Sequence, residues 1–316
     1  MKISALELSD RKLLSVSGND RQEFLQGLIT NDISIVDKDN SIFSAFLMPN
    51  GRFLADFFIY EYNDQYIIDI HDRFYESFLK KLKLYKLRSA VEILVLSGKV
   101  LLSQDEGLIK ENFALLDEIP DQVQDNGSGV FAVNPGKAVV SKGKIISIDN
   151  RNNLLGARVV ILDEDLLRDF KIEGDSLIKY HQLRIEHKVI DGAYDLTIEK
   201  SIILEFGYHN ISAINFDKGC YLGQELMTRT YRTGVIRKQI FKIKIEDMDE
   251  MISQNTQILT TENQKIGKFC FGYKKDKQIF GLALLTIEDV KSIQNQEILL
   301  TFKNEDHQVR TKVVIS

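Results

Sequence analysis

The residue pattern predicts an α+β protein, and three observations carry that reading. Apolar residues recur at helical spacing over 72–86; they alternate at strand spacing around tight turns between 42 and 70; and after Lys238 they fall into six short strand-like runs with little helix between them. Strands and helices mix without regular βαβ alternation, which argues against a doubly wound parallel sheet. A chain of 316 residues is near two domains on a prior of roughly 150 residues each. The change of texture places the boundary near Lys238, with a core over 1–238 and a small antiparallel barrel or sandwich over 239–316.

Residues 3–8 and 12–17 alternate and break at Ser9-Asp10, which predicts a hairpin. Asp20 is placed to cap a helix, with Glu23 three positions later and Phe24, Leu25, Leu28 and Ile29 as one core face. Strands at 42–47 and 53–60 flank Pro49-Asn50-Gly51, whose Asn-Gly step is a strong hairpin signal, and a polar turn at 63–65 leads to a strand at 66–70. Asp72 opens a helix to Lys86, with Phe74, Phe78, Leu82 and Tyr85 inward and Lys80, Lys81, Lys83 and Lys86 on a solvated face. A strand follows at 91–96. Residues 104–135, with a glycine-rich loop at 124–129, show no clear period. Beyond them the pattern predicts a hairpin of 138–140 with 144–148, a strand at 159–162, and helices at 164–170 and 176–187, the second capped by Asp175. The six C-terminal strands are 239–245, 257–260, 265–272, 278–285, 297–302 and 307–315.

Composition is that of an ordinary soluble protein, 44% hydrophobic and 28% charged, with a net charge of −5. No global positive field would hold a nucleic-acid backbone, so an anion site has to be local. No uncharged stretch approaches the roughly 20 residues of a membrane span, and Glu7 interrupts what a signal peptide would need as its apolar centre. Two cysteines, Cys220 and Cys270, give neither a disulfide framework nor a Cys-x-x-Cys metal site, and the cytosol is the expected compartment. The five histidines show no ligand spacing, so no resident metal is expected.

The most function-bearing stretch is 218–225, Lys-Gly-Cys-Tyr-Leu-Gly-Gln-Glu. Were it extended, Lys218 and Cys220 would point to one side, and a neighbouring ammonium favours the thiolate that attacks electrophiles or binds metal. Gly219 and Gly223 permit unusual dihedrals or a close ligand. The alternative is a glycine-rich turn around a cysteine acting as a small hydrophobe. Behind the octet, Arg229, Arg232, Arg237 and Lys238 come without an acid, either a cradle for an anionic tail or an exposed connecting segment. Asp56 sits in the apolar run Phe53-Leu54-Ala55-Asp56-Phe57-Phe58, as an anchor for ring N–H groups or an amine, or as an exposed hairpin residue. Glu186 ends a helix, an electrostatically poor place for an acid that a ligand or plain exposure would explain.

Read together, these residues resemble the YgfZ family, relatives of the glycine-cleavage T-protein (aminomethyltransferase). The signature is Lys-Gly-Cys-Tyr-x-Gly-Gln-Glu at 218–225, supported by Phe24-Leu25-Gln26-Gly27-Leu28-Ile29-Thr30-Asn31-Asp32, by Gly51-Arg52-Phe53-Leu54-Ala55-Asp56 and by Arg184-Ile185-Glu186. The resemblance implies a T-protein-like fold of several subdomains, two of them interleaved within 1–238, with a C-terminal barrel. It implies tetrahydrofolate as the bound cofactor, with Asp56 near the reactive folate nitrogen, Glu186 gripping the pterin, and Tyr221, Gly223, Gln224 and Arg229 in the binding set. It further implies a part in assembling or maintaining iron–sulfur proteins, including a tRNA-methylthiolating enzyme, with iron–sulfur enzymes or cluster carriers as partners and Cys220, poised by Lys218, as the working thiol. No catalytic cycle is implied. His187-Lys188 replaces the Ala-Gly usual after the T-protein glutamate, and the stretch near Glu199 lacks its proline, departures that bear on aminomethyl transfer more than on folate binding. Folate-dependent aminomethyl transfer is the runner-up, and a cysteine hydrolase with His209 as base is a third reading.

Overall fold

The destinations of the first two strands decide the architecture. The computed structural model describes residues 2–113, 133–260, 262–293, 297–303 and 308–315; the loop expected at 124–129 lies outside them. Strands β1 (Ile3–Glu7) and β2 (Arg11–Ser17) do not form the expected hairpin. β1 lies between β7 (Lys99–Ser103) and β11 (Phe170–Ile172), parallel to the latter, whereas β2 lies between β5 (Gln65–His71) and β6 (Glu92–Leu96). Alternation fixes which face of a strand is buried and leaves its neighbour open. The Ser9-Asp10 break therefore carries the chain from one sheet to another instead of folding it back.

One sheet has five strands in the order β3-β4-β5-β2-β6, with β3 (Ile42–Leu47) and β4 (Phe53–Tyr62) paired across the Asn50-Gly51 turn as expected. Helix α2 (Asp72–Lys86) buries Phe74, Phe78 and Leu82 against it, and its last turn carries Lys83 and Lys86, the favourable sign for a helix C-terminus. Helix α1 (Arg21–Gln26) buries the expected face, but Asp20 does not cap it; its carboxylate accepts the Ala90 N–H instead. The other sheet has six strands in the order β11-β1-β7-β10-β9-β8, with β8 (Ala138–Ser141), β9 (Lys144–Ile148) and β10 (Ala157–Ile161). Helix α3 (Glu106–Phe113) buries Leu108, Ile109 and Phe113. Residues 164–169 form a 3-10 helix, and α4 (Ser176–Glu186) starts after an Asp175 that is left-handed and makes no capping bond. The four-residue α5 (Gly192–Asp195) follows.

β12 (Lys238–Ile245), β13 (Gln257–Leu259), β14 (Lys265–Lys275), β15 (Gln278–Thr286), β16 (Glu297–Lys303) and β17 (Gln308–Ile315) close into a barrel in the order β12-β15-β14-β13-β16-β17. Closure removes sheet edges, and Ile243, Ile258, Ile266 and Phe269 belong to an apolar cluster of the barrel's own. Ile240, Cys270, Leu282 and Leu284 belong instead to the large core shared with the five-stranded sheet, so the barrel is packed onto the rest.

Ion pairs tie the two sheets together. Arg158 on β10 donates to Asp69 on β5 and lies 3.5 Å from Asp149, while Arg11 on β2 grips Asp69 at 2.6 Å. All four side chains are at most 6% exposed. Buried charges persist only when paired, and here each carboxylate has an arginine. Among the described residues no helix is long and apolar enough to cross a membrane.

Candidate functional site

The octet is bent, not extended. Residues 218–223 run through a bend and a turn, and only at Gln224 does helix α6 (Gln224–Thr233) begin. This corrects the expectation that Lys218 and Cys220 face one space. The Lys218 ammonium turns inward and donates to the carbonyls of Gln26, Ile29 and Asn31 at 2.8, 2.8 and 2.7 Å, beside the face of the Tyr221 ring. Burial lowers its pKa to about 8, against the opposing pull of Asp32. The lysine holds the α1 exit loop against the octet. Cys220 is exposed, whereas Cys270 on β14 is 1% exposed, its thiol pushed up by burial and next by the nearby Asp195.

Two glycines interlock the start of α6 with the β3–β4 turn. Gly223, the N-cap, has φ +80°, and a Cβ there would stand 2.6 Å from the Met48 carbonyl oxygen. Gly51 has φ +75°, and a Cβ there would meet Leu226 at 2.6 Å. Both positions need glycine for conformation and for room. Tyr221 is buried, with its hydroxyl lacking a partner among the described residues and its pKa raised by burial. The Gln224 side-chain oxygen accepts the Tyr221 N–H at 3.4 Å, and Arg229 projects from α6 into solvent.

Asp56 and Glu186 are set apart. Asp56, on β4, is 3% exposed, and its Oδ2 accepts from the Gly192 N–H at 3.0 Å and the Tyr208 hydroxyl at 2.7 Å. Burial, then the charge of Asp191, raises its pKa. The acid clasps β4 to α5, which differs from both expectations for it, an exposed hairpin residue or a carboxylate open to an amine. Glu186 is exposed at the end of α4, on the wall of a cleft of about 420 Å³ between α4, β1 and β7, with Gln104, Asp105, Glu173, Lys179 and Gln182. Asp56 and the octet are not on that wall. His209 packs edge-on to the Tyr231 ring, and no hydrogen bond joins it to Cys220 among the described residues.

Sequence reading missed the polar cluster behind Asp56. Arg151 donates to Asp149 and Tyr180; the Tyr180 hydroxyl donates to Asp191 at 2.6 Å; and Arg184 donates to Asp195 and to His181 Nδ1. One signal was present at its edge, where Asp69, linked to Asp149 through Arg158, sits in the apolar run Tyr66-Ile67-Ile68-Asp69-Ile70 just as Asp56 sits in its own.

No family model matches the chain. Over 245 residues it is 31% identical to the iron–sulfur cluster assembly factor IBA57 homolog, mitochondrial, of Mycosarcoma maydis, a match covering 73% of this chain and 54% of that one. Over 284 residues it is 29% identical to the Dictyostelium discoideum protein of the same name, covering 79% and 64%. The chain is similar to the IBA57 assembly factors. It spans between about half and two thirds of the length of these relatives. The expected cytosolic location is overturned, because these relatives are mitochondrial. Two free thiols speak for a reducing compartment without choosing among reducing compartments. Among solved structures, the glycine cleavage system aminomethyltransferase T from Bartonella henselae superposes with a TM-score of 0.72 over 99% of this chain and 85% of that one, at 12% identity. The fold is therefore α+β of the T-protein type.

Proposed function

We propose that the chain is an accessory factor in the assembly or maintenance of iron–sulfur proteins, with Cys220 as its working thiol. The observation that carries this reading is the asymmetry of the two sulfurs. Cys270 is sealed in the core, and Cys220 stands exposed on a turn that Lys218 and two glycines fix. Among the described residues no three His, Cys, Asp or Glu side chains converge as a metal site. A cluster is ordinarily held by four ligands, so one thiol suits transient contact with a cluster whose other ligands belong to an iron–sulfur enzyme or carrier. The likeness to IBA57 assembly factors supports the same role, and enzymes such as a tRNA methylthiolase would be among those served. Lys218 acts here as a positioning residue. In cells whose only copy carries Cys220→Ala, cluster-dependent enzyme activity should fall well below wild type with protein level unchanged; undiminished activity removes the thiol from the mechanism.

We propose the α4 cleft as the seat of the pterin of tetrahydrofolate, with the anionic tail directed outward because Asp105, Glu173 and Glu186 outnumber Lys179 on the wall. Pockets for small ligands run upward from roughly 300 Å³, and Glu186, Gln104 and Gln182 offer acceptors and donors suited to the amide edge of a pterin. When bound, the folate would supply one-carbon chemistry at its ring nitrogens. Glu186 would hold and orient the ring, while Asp56, engaged with Gly192 and Tyr208, is not on the cleft wall. Aminomethyl transfer has the fold in its favour, but the transferase acid is committed elsewhere. Titration calorimetry should give saturable binding of tetrahydrofolate, weakened about tenfold or more by Glu186→Gln, the loss of one charged hydrogen-bond acceptor. Equal affinity in the variant would move the folate to another site.

A further inference from the structure

Helix α6 leaves the octet and carries cations into the open. From Leu226 to Ile245 the sequence holds cations at 229, 232, 237, 238, 242 and 244 and no acid. Lys242 and Lys244 are engaged, with the Glu186 carbonyl and with Glu246. Arg229, Arg232, Arg237 and Lys238 are exposed, and their side chains make no hydrogen bond or ion pair among the described residues. Two apolar groups share the face. Tyr231 is 46% exposed yet fixed by stacking on Phe216 at 3.9 Å, and Val235 is 55% exposed. The one acid of α6, Glu225, lies in its first turn. Cys220, itself exposed, lies four residues before the helix, and the ten helical residues rise about 15 Å, the span a docked surface would bridge between the thiol and the far cations.

We propose that the exposed face of α6 and its connection to β12 docks an acidic protein surface and brings it to Cys220. The proposal rests on the reading of Cys220 as the working thiol. Arginine and tyrosine are the residue types enriched in protein interfaces, and lysine is depleted, which separates this face from the lysine row on α2. A protein with a net charge of −5 repels a long polyanion, and a nucleic-acid site calls for a more extended basic stripe. A compact acidic patch meets four free cations, with the exposed acids Asp217 and Glu225 confined to the octet end of the face, and the Tyr231 ring stacked on Phe216 gives the contact an apolar anchor.

The experiment uses the full chain and two short peptides, one rich in glutamate and one uncharged, each with a cysteine activated as its thionitrobenzoate disulfide. The Cys220 thiolate attacks the peptide sulfur, a new disulfide forms, and the released thionitrobenzoate is read by absorbance. The acidic peptide should react about tenfold faster at low salt, a steering effect of ordinary size. That preference should collapse in about 0.5 M salt and in the Arg229→Gln/Arg232→Gln variant, while the uncharged peptide reacts at one rate throughout. Cys220→Ala should release nothing. Equal rates for the two peptides on the wild-type chain, or a preference that survives in the variant, would overturn the proposal. So would a short single-stranded oligonucleotide that suppresses the acidic peptide's reaction better than an excess of unactivated acidic peptide does. Failure of the thiol reading itself shows elsewhere, in cells carrying Cys220→Ala.

Discussion

His181 illustrates how one side chain sets a pH limit. It is buried against Tyr194, and its Nδ1 accepts the Arg184 Nε–H at 2.9 Å, so the ring has to be neutral at that atom. Burial first, and the Arg184 charge second, lower its pKa to about 3, against roughly 6.5 in an unfolded chain. Between those values the unfolded state binds the extra proton, so folding stability is lost as pH falls through that window. The slope from this group approaches about 1.4 kcal/mol per pH unit well inside it. Urea unfolding between pH 7 and pH 5 should therefore show a shallower pH dependence in His181→Gln than in the wild type. Matching slopes would mean that the imidazole takes its proton in place. At the same scale Lys218 shows the limit of reading residues by spacing: two positions along an extended strand share a side, but three carbonyls of the α1 exit loop bend the segment and claim the ammonium.

Elements were legible where their partners are local. The β3–β4–β5 meander and α2 follow from turn chemistry and periodicity within 42–86, and all six barrel strands announced themselves by length and punctuation. The pairing of β1 and β2 was not, because a strand's neighbour is chosen by surfaces that the strand itself does not encode. Asp20 and Asp175 misled for a related reason. Asp20 finds a better donor in Ala90 across the fold, and Asp175 has a left-handed backbone that turns it away from capping. The site was legible as residue types and not as geometry: the octet marked the place, while the separation of Asp56 from Glu186 depends on how α4 and α5 pack. The glycine at the head of α6 can be tested directly. Gly223→Ala has to adopt a positive φ and meets Met48 and Leu47, so it should cost about 1–3 kcal/mol in strain before any clash, read as a lower urea midpoint. A midpoint equal to wild type would show that the turn yields freely.

Across the whole molecule, buried arginines hold together sheets whose strands alternate along the chain. Arg158 reaches from the six-stranded sheet to Asp69 in the five-stranded one, and removing it leaves carboxylates short of a partner in the interior. Arg158→Met should destabilise the two-sheet core by about 3 kcal/mol or more, read from the transition of that core in urea unfolding. A loss under about 1 kcal/mol would mean that Arg11 and Arg151 suffice. The long reach of these connections also sets the order of events at the ribosome. Ile3 finds its parallel neighbour only at Phe170, and translation at roughly 5–20 residues per second delays that encounter by on the order of ten seconds or more. For that interval one edge of the first strand waits uncovered even after β7 has been made to pair with the other, available to chaperones or to wrong neighbours, and a slower passage through the codons before 170 would lengthen its exposure.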